Sequence, residues 1–320
     1  MQVLLGGGVG VNCDAWGGMS TFNAQAVDVV TADGQILHAN AHQNAELLWA
    51  ARGAGPCLFV VVVRFYIKCW PEPKKILARN YRFDPKHLAS VLLALSGRAA
   101  DKRMQVMVAL SGDADLAASL SATSFCGDHD ETRLLHADLL SAVAAWTGNE
   151  SDEQELRGSQ AIYDKTDAAM VPKRYRADNV MTDDAETASR VLLARFGERP
   201  SRATFSLLIH RPAHHYPDAA FSVGGKFFIS TYAQWNDADA DASNRDWLKA
   251  LYDELSPSSA GHYINEMDLE ERAGSVSRCF SAEAWSRLQA LRRRYDSEGV
   301  IPGIQHPPAR SSSRIPPGEA

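Results

Sequence analysis

A glycine-rich stretch near the start of the chain introduces the segment that decides the fold. Residues 4–11 read LLGGGVGV, and they are followed by AVDVV at 26–30, TADG at 31–34 and ILHA at 36–39. Asp-Gly between two runs rich in β-branched residues is a strong hairpin signal. We therefore expect two antiparallel strands joined by the turn at 31–34.

A short helix and a further strand are predicted after this hairpin. Asn44 is placed to cap a helix over 45–51, and Gly53 is placed to close it in the left-handed region. Residues 58–65 read LFVVVVRF, a continuous apolar run that predicts a strand buried on both faces.

The middle of the chain, from Pro73 to Pro257, mixes strands with helices. A helix is predicted from Asp84-Pro85, with an apolar stripe at Leu88, Val91, Leu92 and Leu95. The other expected elements are strands at 104–110, 120–125, 204–209 and 226–232, and helices near 131–145 and 184–195. This spacing predicts an α+β layer in which helices cover one side of a sheet.

Three helix ends carry capping signals. Asp183 and Glu186 have the spacing of a capping box, and Gly197 follows the apolar pattern of the same helix. Ser281 is the predicted N-cap of a last helix, with Phe280 and Trp285 spaced as a hydrophobic staple. The tail from 304 to 320 is rich in Pro, Ser and Arg and predicts disorder.

Composition excludes several classes of protein. The 320 residues are 45% hydrophobic and carry a net charge of −6, which argues against wholesale disorder and against a general nucleic-acid binder. No apolar run reaches the roughly 18 residues that cross a bilayer, so we expect a soluble, cytoplasmic protein that uses no membrane. The five cysteines form no CxxC pair, which predicts reduced thiols and no metal site.

The glycine run by itself leaves two interpretations open. Closely spaced glycines let a backbone approach a ligand, but they also form tight turns. Gly6, Gly8 and Gly10 do not fit GxGxxG, because Val11 stands three positions after Gly8. His210, His214 and His215 cluster in sequence without a metal-binding motif.

The first seventy residues together resemble a known cofactor domain. LLGGGVG at 4–10, Asn23, VDVVTADG at 27–34 and the run from Asn44 through LLWAARGAGP at 47–56 match it in order and spacing. They resemble the second half of the FAD-binding domain of the vanillyl-alcohol-oxidase (PCMH-type) superfamily, in particular the berberine-bridge-like flavoproteins. GHYINEMD at 261–268 resembles the Tyr-x-Asn segment of the same proteins.

The resemblance implies an FAD-dependent oxidoreductase that passes a hydride from a small organic substrate to flavin N5, with O2 as the acceptor. The backbone at Gly6, Gly7, Gly8, Gly10, Val29 and Val30, together with Asn23, would line the dinucleotide. Tyr263 and Asn265 would face the isoalloxazine, and Tyr263 would act as base or substrate orienter. A hydroxyl paired in the core is the other interpretation of Tyr263, and Tyr232 or a glutamate competes as base.

The resemblance also implies a division of the chain. Residues 1–72 would be a partial FAD-binding domain, 73–257 an antiparallel-sheet substrate domain covered by helices, and 258–303 a berberine-bridge-like closing segment. The first FAD subdomain of the family and its flavin-linking positions have no counterpart here, so we expect a truncated form that binds FAD non-covalently.

An alternative is a non-catalytic fragment, a pseudoenzyme or interaction protein, that binds no FAD. It is motivated by the missing subdomain and by Cys57 and Val60, which stand where relatives carry glycine. The sequence indicates neither the substrate nor the oligomeric state.

Overall fold

The computed structural model describes residues 2–112, 115–148, 151–169, 173–213 and 215–304. Within them the strands are β1 (Ala24–Val30), β2 (Ile36–Asn40), β3 (Val61–Ile67), β4 (Lys75–Phe83), β5 (Met104–Ser111), β6 (Ala117–Cys126), β7 (Asp152–Leu156), β8 (Arg174–Thr182), β9 (Phe205–His210), β10 (Phe227–Trp235) and β11 (Ser259–Gly261). The α-helices are α1 (Gln2–Gly6), α2 (Ala45–Ala51), α3 (Leu88–Ser96), α4 (His129–Thr147), α5 (Gln160–Ala169), α6 (Ala185–Gly197), α7 (Asp241–Leu255) and α8 (Ala282–Tyr295).

The smaller sheet has the order β2-β1-β3 and is antiparallel throughout. Its β1–β2 hairpin pairs Val30 with Ile36 across the Asp-Gly turn, as the sequence predicts. Val27 and Val29 point into a core that α2 and α8 complete. The two ends of the described chain therefore pack around this one sheet.

The prediction of a doubly buried strand at 58–65 is wrong. Gly55–Cys57 forms a 3-10 turn, and the strand begins only at Val61. Leu58, Phe59 and Val60 are buried, but they enter the core as a loop rather than as a strand. Strand β3 pairs with β1 alone, and Val61 and Val63 are 49% and 51% exposed. An edge strand needs only one buried face, and the apolar run spans two differently shaped segments.

The larger sheet is also antiparallel, with the order β11-β8-β10-β9-β5-β6-β4-β7. Helices α3, α4, α6 and α7 cover one of its faces, where Val106, Leu120 and Ile229 join their apolar stripes in the main core. The α+β prediction is confirmed. The four predicted strands are present, whereas β4, β7, β8 and β11 were not predicted.

The opposite face of the larger sheet carries the alternate residues, among them Asn179, Ser230 and Tyr232. Near β8 and β10 it is covered by the chain that follows β11. A third apolar cluster lies there, in which Met19 and Phe221 meet Phe228 and Tyr263. This contact joins the glycine-rich beginning of the chain to the larger sheet.

The helix ends correct two of the capping predictions. Asp184, not Asp183, accepts the amide of Thr187 at the start of α6, and the Asp183 carboxylate accepts from Lys226 N instead. Asn44 precedes α2 with φ +49°, and its side chain donates to His38 O rather than capping the helix.

The predicted start of α8 is confirmed, whereas Asp84 caps the 3-10 turn Pro85–His87 that leads into α3, and Gly197 is the last residue of α6. Asp84 accepts from Lys86 N, Ser281 accepts from Ala284 N, and the rings of Phe280 and Trp285 stack at 5.5 Å. Gly53 has φ +117°.

The division at 72 and 257 stays a prediction, although β3 ends at Ile67 and β4 begins at Lys75. The predicted disordered tail lies outside the described residues except for Ile304, and so does His214. None of the helices in the described ranges is both long and apolar enough to cross a membrane.

Candidate cofactor site

The glycine run, residues 6–10, folds back against the turn at Ser20–Asn23. Gly8 O accepts from Ser20 N at 3.0 Å, and Gly7 O accepts from Thr21 N at 2.8 Å. Gly7 has φ +133°, and a Cβ there would lie 2.9 Å from Met19 Cε and 3.0 Å from Tyr263 Cε2. Glycine is therefore required at this position by conformation and by space.

Tyr263 meets the glycine run from the other end of the chain. Gly8 N donates to Tyr263 Oη at 2.9 Å across 255 residues of sequence, and Asn265 Nδ2 donates to the same oxygen at 2.8 Å. The Asn265 side chain fills the space that a Cβ on Gly6 would need. Gly6, Gly7, Gly8, Tyr263 and Asn265 thus form one contact, which we call the glycine junction.

The electrostatics of Tyr263 favour a neutral hydroxyl. Its side chain is only 3% exposed, and burial raises the pKa of the phenol although Asn265 and the Gly8 amide donate to it. A phenol of this kind holds and orients groups more readily than it accepts a proton. Whether it acts as a base stays a prediction.

The other predicted cofactor residues have different surroundings. A Cβ on Gly10 would approach Ser20 Oγ at 3.3 Å, and Asn23 Oδ1 accepts from Trp70 Nε1 at 2.7 Å. Val29 is fully buried in the core of the smaller sheet, and Val30 is half-buried at the end of β1. The roles predicted for these four residues stay predictions.

A hydrogen-bonded carboxylate lies just beyond the glycine junction. Glu266 follows Asn265 in a short 3-10 turn, and its Oε2 accepts from Ser230 Oγ at 2.6 Å and from Tyr232 Oη at 2.8 Å. Burial and the Glu266 charge both raise the pKa of Tyr232, which keeps that phenol protonated as a donor. The Tyr232 ring stacks on Phe205 with centroids 5.0 Å apart.

The sequence suggests Tyr232 or an unspecified glutamate as alternatives to Tyr263 as the base. It does not predict that Tyr232 and a glutamate form a hydrogen bond with each other. Ser230 and Tyr232 are two residues apart on a strand, so they share a face, and this much could be predicted. The partner could not, because Glu266 reaches β10 only through a tertiary contact.

A cavity of about 760 Å³ opens beside Glu266. Asn265, Glu266, Tyr175, Ala177 and Trp235 are among its lining residues, and Arg174, Arg176 and Arg245 add positive charge. Asp241 and Glu270 balance part of that charge through ion pairs with Arg174 and Arg176. The cavity therefore leaves open space next to Glu266.

The residues of the glycine junction fit a flavin by the chemistry of their polar groups. The amide of Asn265 and the hydroxyl of Tyr263 are polar groups that suit the edge of a flat heteroaromatic ring, whereas the spaces beside Gly6 and Gly7 are filled by Asn265, Met19 and Tyr263. The Gly8 amide and the Tyr263 hydroxyl bond each other, so they fix the junction. Asn265 is accordingly the side chain best placed to face such a ring.

Cys57 and Val60 are not among the residues of the glycine junction. Both are buried in the core of the smaller sheet, with 4% and 3% exposure, and burial raises the pKa of the Cys57 thiol to about 12. They therefore act as small apolar side chains where they stand. Among the described residues, no three His, Cys, Asp or Glu side chains converge as metal ligands.

Sequence comparison finds relatives along nearly the whole chain. The chain is 24% identical over 317 residues to FAD-linked oxidoreductase nodO of Hypoxylon pulicicidum, covering 94% of this chain and 68% of that protein. It is 25% identical over 302 residues to FAD-linked oxidoreductase penO of Penicillium crustosum, covering 91% and 66%. The chain thus spans about two thirds of the length of these relatives. No protein-family model matches it.

Solved structures share the fold. BBE-like 1 of Physcomitrella patens superposes with a TM-score of 0.79 at 17% identity, over 95% of this chain and 69% of that one. A variant of berberine bridge enzyme gives a TM-score of 0.74 at 17% identity, over 95% and 68%. The sequence relatives support the resemblance to FAD-linked oxidoreductases, and the solved structures confirm the fold that it implies.

Proposed function

We propose that this chain, as a relative of the berberine-bridge-like FAD-linked oxidoreductases, binds FAD non-covalently and oxidises a small organic molecule. The observation that carries the proposal is the similarity of nearly all of this chain to about two thirds of two FAD-linked oxidoreductases. The glycine junction supports it, because the two segments that resemble the family's cofactor-binding parts contact each other.

The protein's part would be to hold the cofactor and to remove a proton. The amide of Asn265 would hold the flavin, while Tyr263 fixes Gly8 and Asn265. When bound, FAD supplies a two-electron acceptor for a substrate hydride at flavin N5, and O2 would return it to the oxidised form.

Glu266 is the proposed proton acceptor. It is the carboxylate beside Asn265 that faces the cavity, and two hydroxyl donors fix its position. An alcohol that loses a hydride from carbon to become a carbonyl compound also loses a proton from oxygen, an amine that becomes a neutral imine loses one from nitrogen, and a carboxylate accepts that proton. Tyr232, kept protonated, would orient the carboxylate.

The test is an absorption spectrum of the purified chain after incubation with FAD and desalting. The proposal expects a retained flavin band, which is released to the supernatant when the protein is denatured, because the bond is non-covalent. Asn265→Ala should retain much less flavin. Asn80→Ala, on β4 at the far side of the larger sheet, should retain the wild-type amount.

A colourless wild-type chain would overturn the proposal. It would favour the alternative of a non-catalytic protein that binds no FAD.

A further inference from the structure

Residues 262–268, which we call the crossing segment, run over the face of the larger sheet that lies opposite the helices. Strand β11 ends at Gly261, so from Tyr263 onward no described strand pairing holds the segment on the sheet. Yet this segment carries Tyr263, Asn265 and Glu266, whose positions the candidate site depends on. Some other contact must dock it.

One buried side chain makes the central contact, and within the segment Glu266 N also donates to Tyr263 O at 3.2 Å. Asn179 Oδ1 accepts from Tyr263 N at 2.6 Å, and Asn179 Nδ2 donates to Tyr263 O at 2.8 Å. Asn179 is fully buried on β8, directly opposite Ser230 of β10. Its amide thus replaces the paired strand, satisfying both backbone groups of Tyr263.

The backbone around Asn179 is itself fixed by buried charge. Asp178 Oδ2 accepts from Arg272 Nη1 at 2.5 Å, and Asp178 Oδ1 accepts from the amides of Asn179 and Asp268. His262 Nδ1 lies 2.8 Å from Asn179 O, and its other ring nitrogen lies 3.3 Å from Arg272 Nη2. The two ends of the crossing segment, His262 and Asp268, are therefore hydrogen-bonded to Asn179 and Asp178 of β8.

From this geometry we infer that Asn179 is the positioning residue of the candidate site. By holding Tyr263 at both backbone groups, it sets the Tyr263 hydroxyl against Gly8 and Glu266 against Ser230 and Tyr232. It touches none of the groups proposed to react. The consequence for cofactor binding rests on the proposed function, whereas the consequence for the glycine junction does not.

Hydrogen exchange followed by mass spectrometry tests the junction on the chain without cofactor. In Asn179→Ala, peptides covering 6–10 and 262–268 should exchange about tenfold faster or more, since two buried hydrogen bonds are lost. In Asn179→Asp the carboxyl, fully buried beside Asp178, is expected to be protonated, so it keeps an acceptor for Tyr263 N and a weaker donor to Tyr263 O, and its exchange should be intermediate. It also serves as the second variant where the alanine form does not fold.

Asn244→Ala is the matched control. Asn244 is an equally buried asparagine that donates to Ala240 O at the start of α7, away from the crossing segment. Its loss destabilises the protein without touching the junction, so peptides 6–10 and 262–268 should keep their wild-type exchange relative to the rest of the chain.

FAD titration of the same variants gives the second measurement. Affinity should fall about tenfold or more in Asn179→Ala, less in Asn179→Asp, and not in Asn244→Ala. Unchanged exchange at 6–10 and 262–268 in Asn179→Ala would overturn the inference, and so would an equal effect in Asn244→Ala. If the wild type binds no FAD, the proposed function fails, and the exchange experiment still decides the role of Asn179.

Discussion

At the scale of single residues, the assignment that most needs a test is Glu266 as proton acceptor. Glu266→Gln keeps the size of the side chain but removes the carboxylate that would accept the proton. Flavin reduction by any alcohol or amine that bleaches the wild type should slow by about 10²- to 10⁴-fold. Flavin retention should not change, because Glu266 is not among the proposed holding groups. Stopped-flow absorbance measures both.

Glu271→Gln is the control for this variant. Glu271 lies five residues further along, is exposed, and is absent from the cavity lining. It should reduce flavin at the wild-type rate. Wild-type reduction in Glu266→Gln would remove Glu266 from the reaction and return Tyr263 as the leading base.

The candidate site shows what local sequence can and cannot predict. Gly6, Gly8, Tyr263 and Asn265 were singled out from two separate segments, and the structure brings them into contact. Asn179 and Glu266 were missed because each acts through a partner that is distant in the chain. An asparagine in a stretch with no recognised strand pattern and a glutamate in a loop look like ordinary polar residues until the fold is known.

At the scale of elements, α8 depends on its first residue. The Ser281 hydroxyl accepts from Ala284 N, one of the amides that a helix start leaves without a partner. Ser281→Ala should lower the free energy of unfolding by about 1 kcal/mol, measured by urea denaturation. Ser286→Ala, at an exposed position inside the same helix, should change it by no more than about 0.5 kcal/mol. Equal effects would contradict the capping role.

Elements with strong local signals were predictable, and those without were not. Helices α3 and α6 carry apolar stripes, and the β1–β2 hairpin carries Asp-Gly. Strand β8 was missed although it lies between β11 and β10, because Arg174, Arg176 and Asp178 break its apolar alternation. Those charges are balanced only in the folded protein, by Asp241, Glu270 and Arg272.

At the scale of the whole molecule, buried histidines make stability depend on pH. Burial is the main cause that lowers the pKa of His136, His210 and His262 to about 4. In the unfolded chain these groups titrate near 6.5, so the unfolded state binds more protons between those values. The free energy of unfolding should therefore fall as pH drops, by about 2 kcal/mol per histidine from pH 7 to pH 5.

Urea denaturation at the two pH values measures this loss. His136→Gln should lose about 2 kcal/mol less than the wild type over that interval, because one buried proton acceptor is gone. His42→Gln, at an exposed turn position, should follow the wild type. A wild-type pH dependence in His136→Gln would show that this histidine is not buried neutral.

The whole molecule also depends on a buried ion pair that joins the loop after the glycine run to the larger sheet. Arg211, which follows β9, lies 3.0 Å from Asp14 in the loop after the glycine run, and both side chains are at most 6% exposed. Arg211 Nη1 also donates to Cys13 Sγ at 3.2 Å. Removing one member leaves a buried charge without its counter-ion, so Arg211→Met should cost about 3–5 kcal/mol.

A double-mutant cycle separates that charge penalty from lost packing. If the uncompensated Asp14 charge is the cause, adding Asp14→Asn to Arg211→Met should restore part of the stability. Arg64→Met removes an exposed arginine that lies 3.6 Å from Asp28, and it should cost less than about 1 kcal/mol. Additive losses in the cycle would mean that Arg211 joins the glycine segment to the larger sheet by packing alone. Because Gly7 and Gly8 contact the same loop, retained flavin should decline together with stability in Arg211→Met.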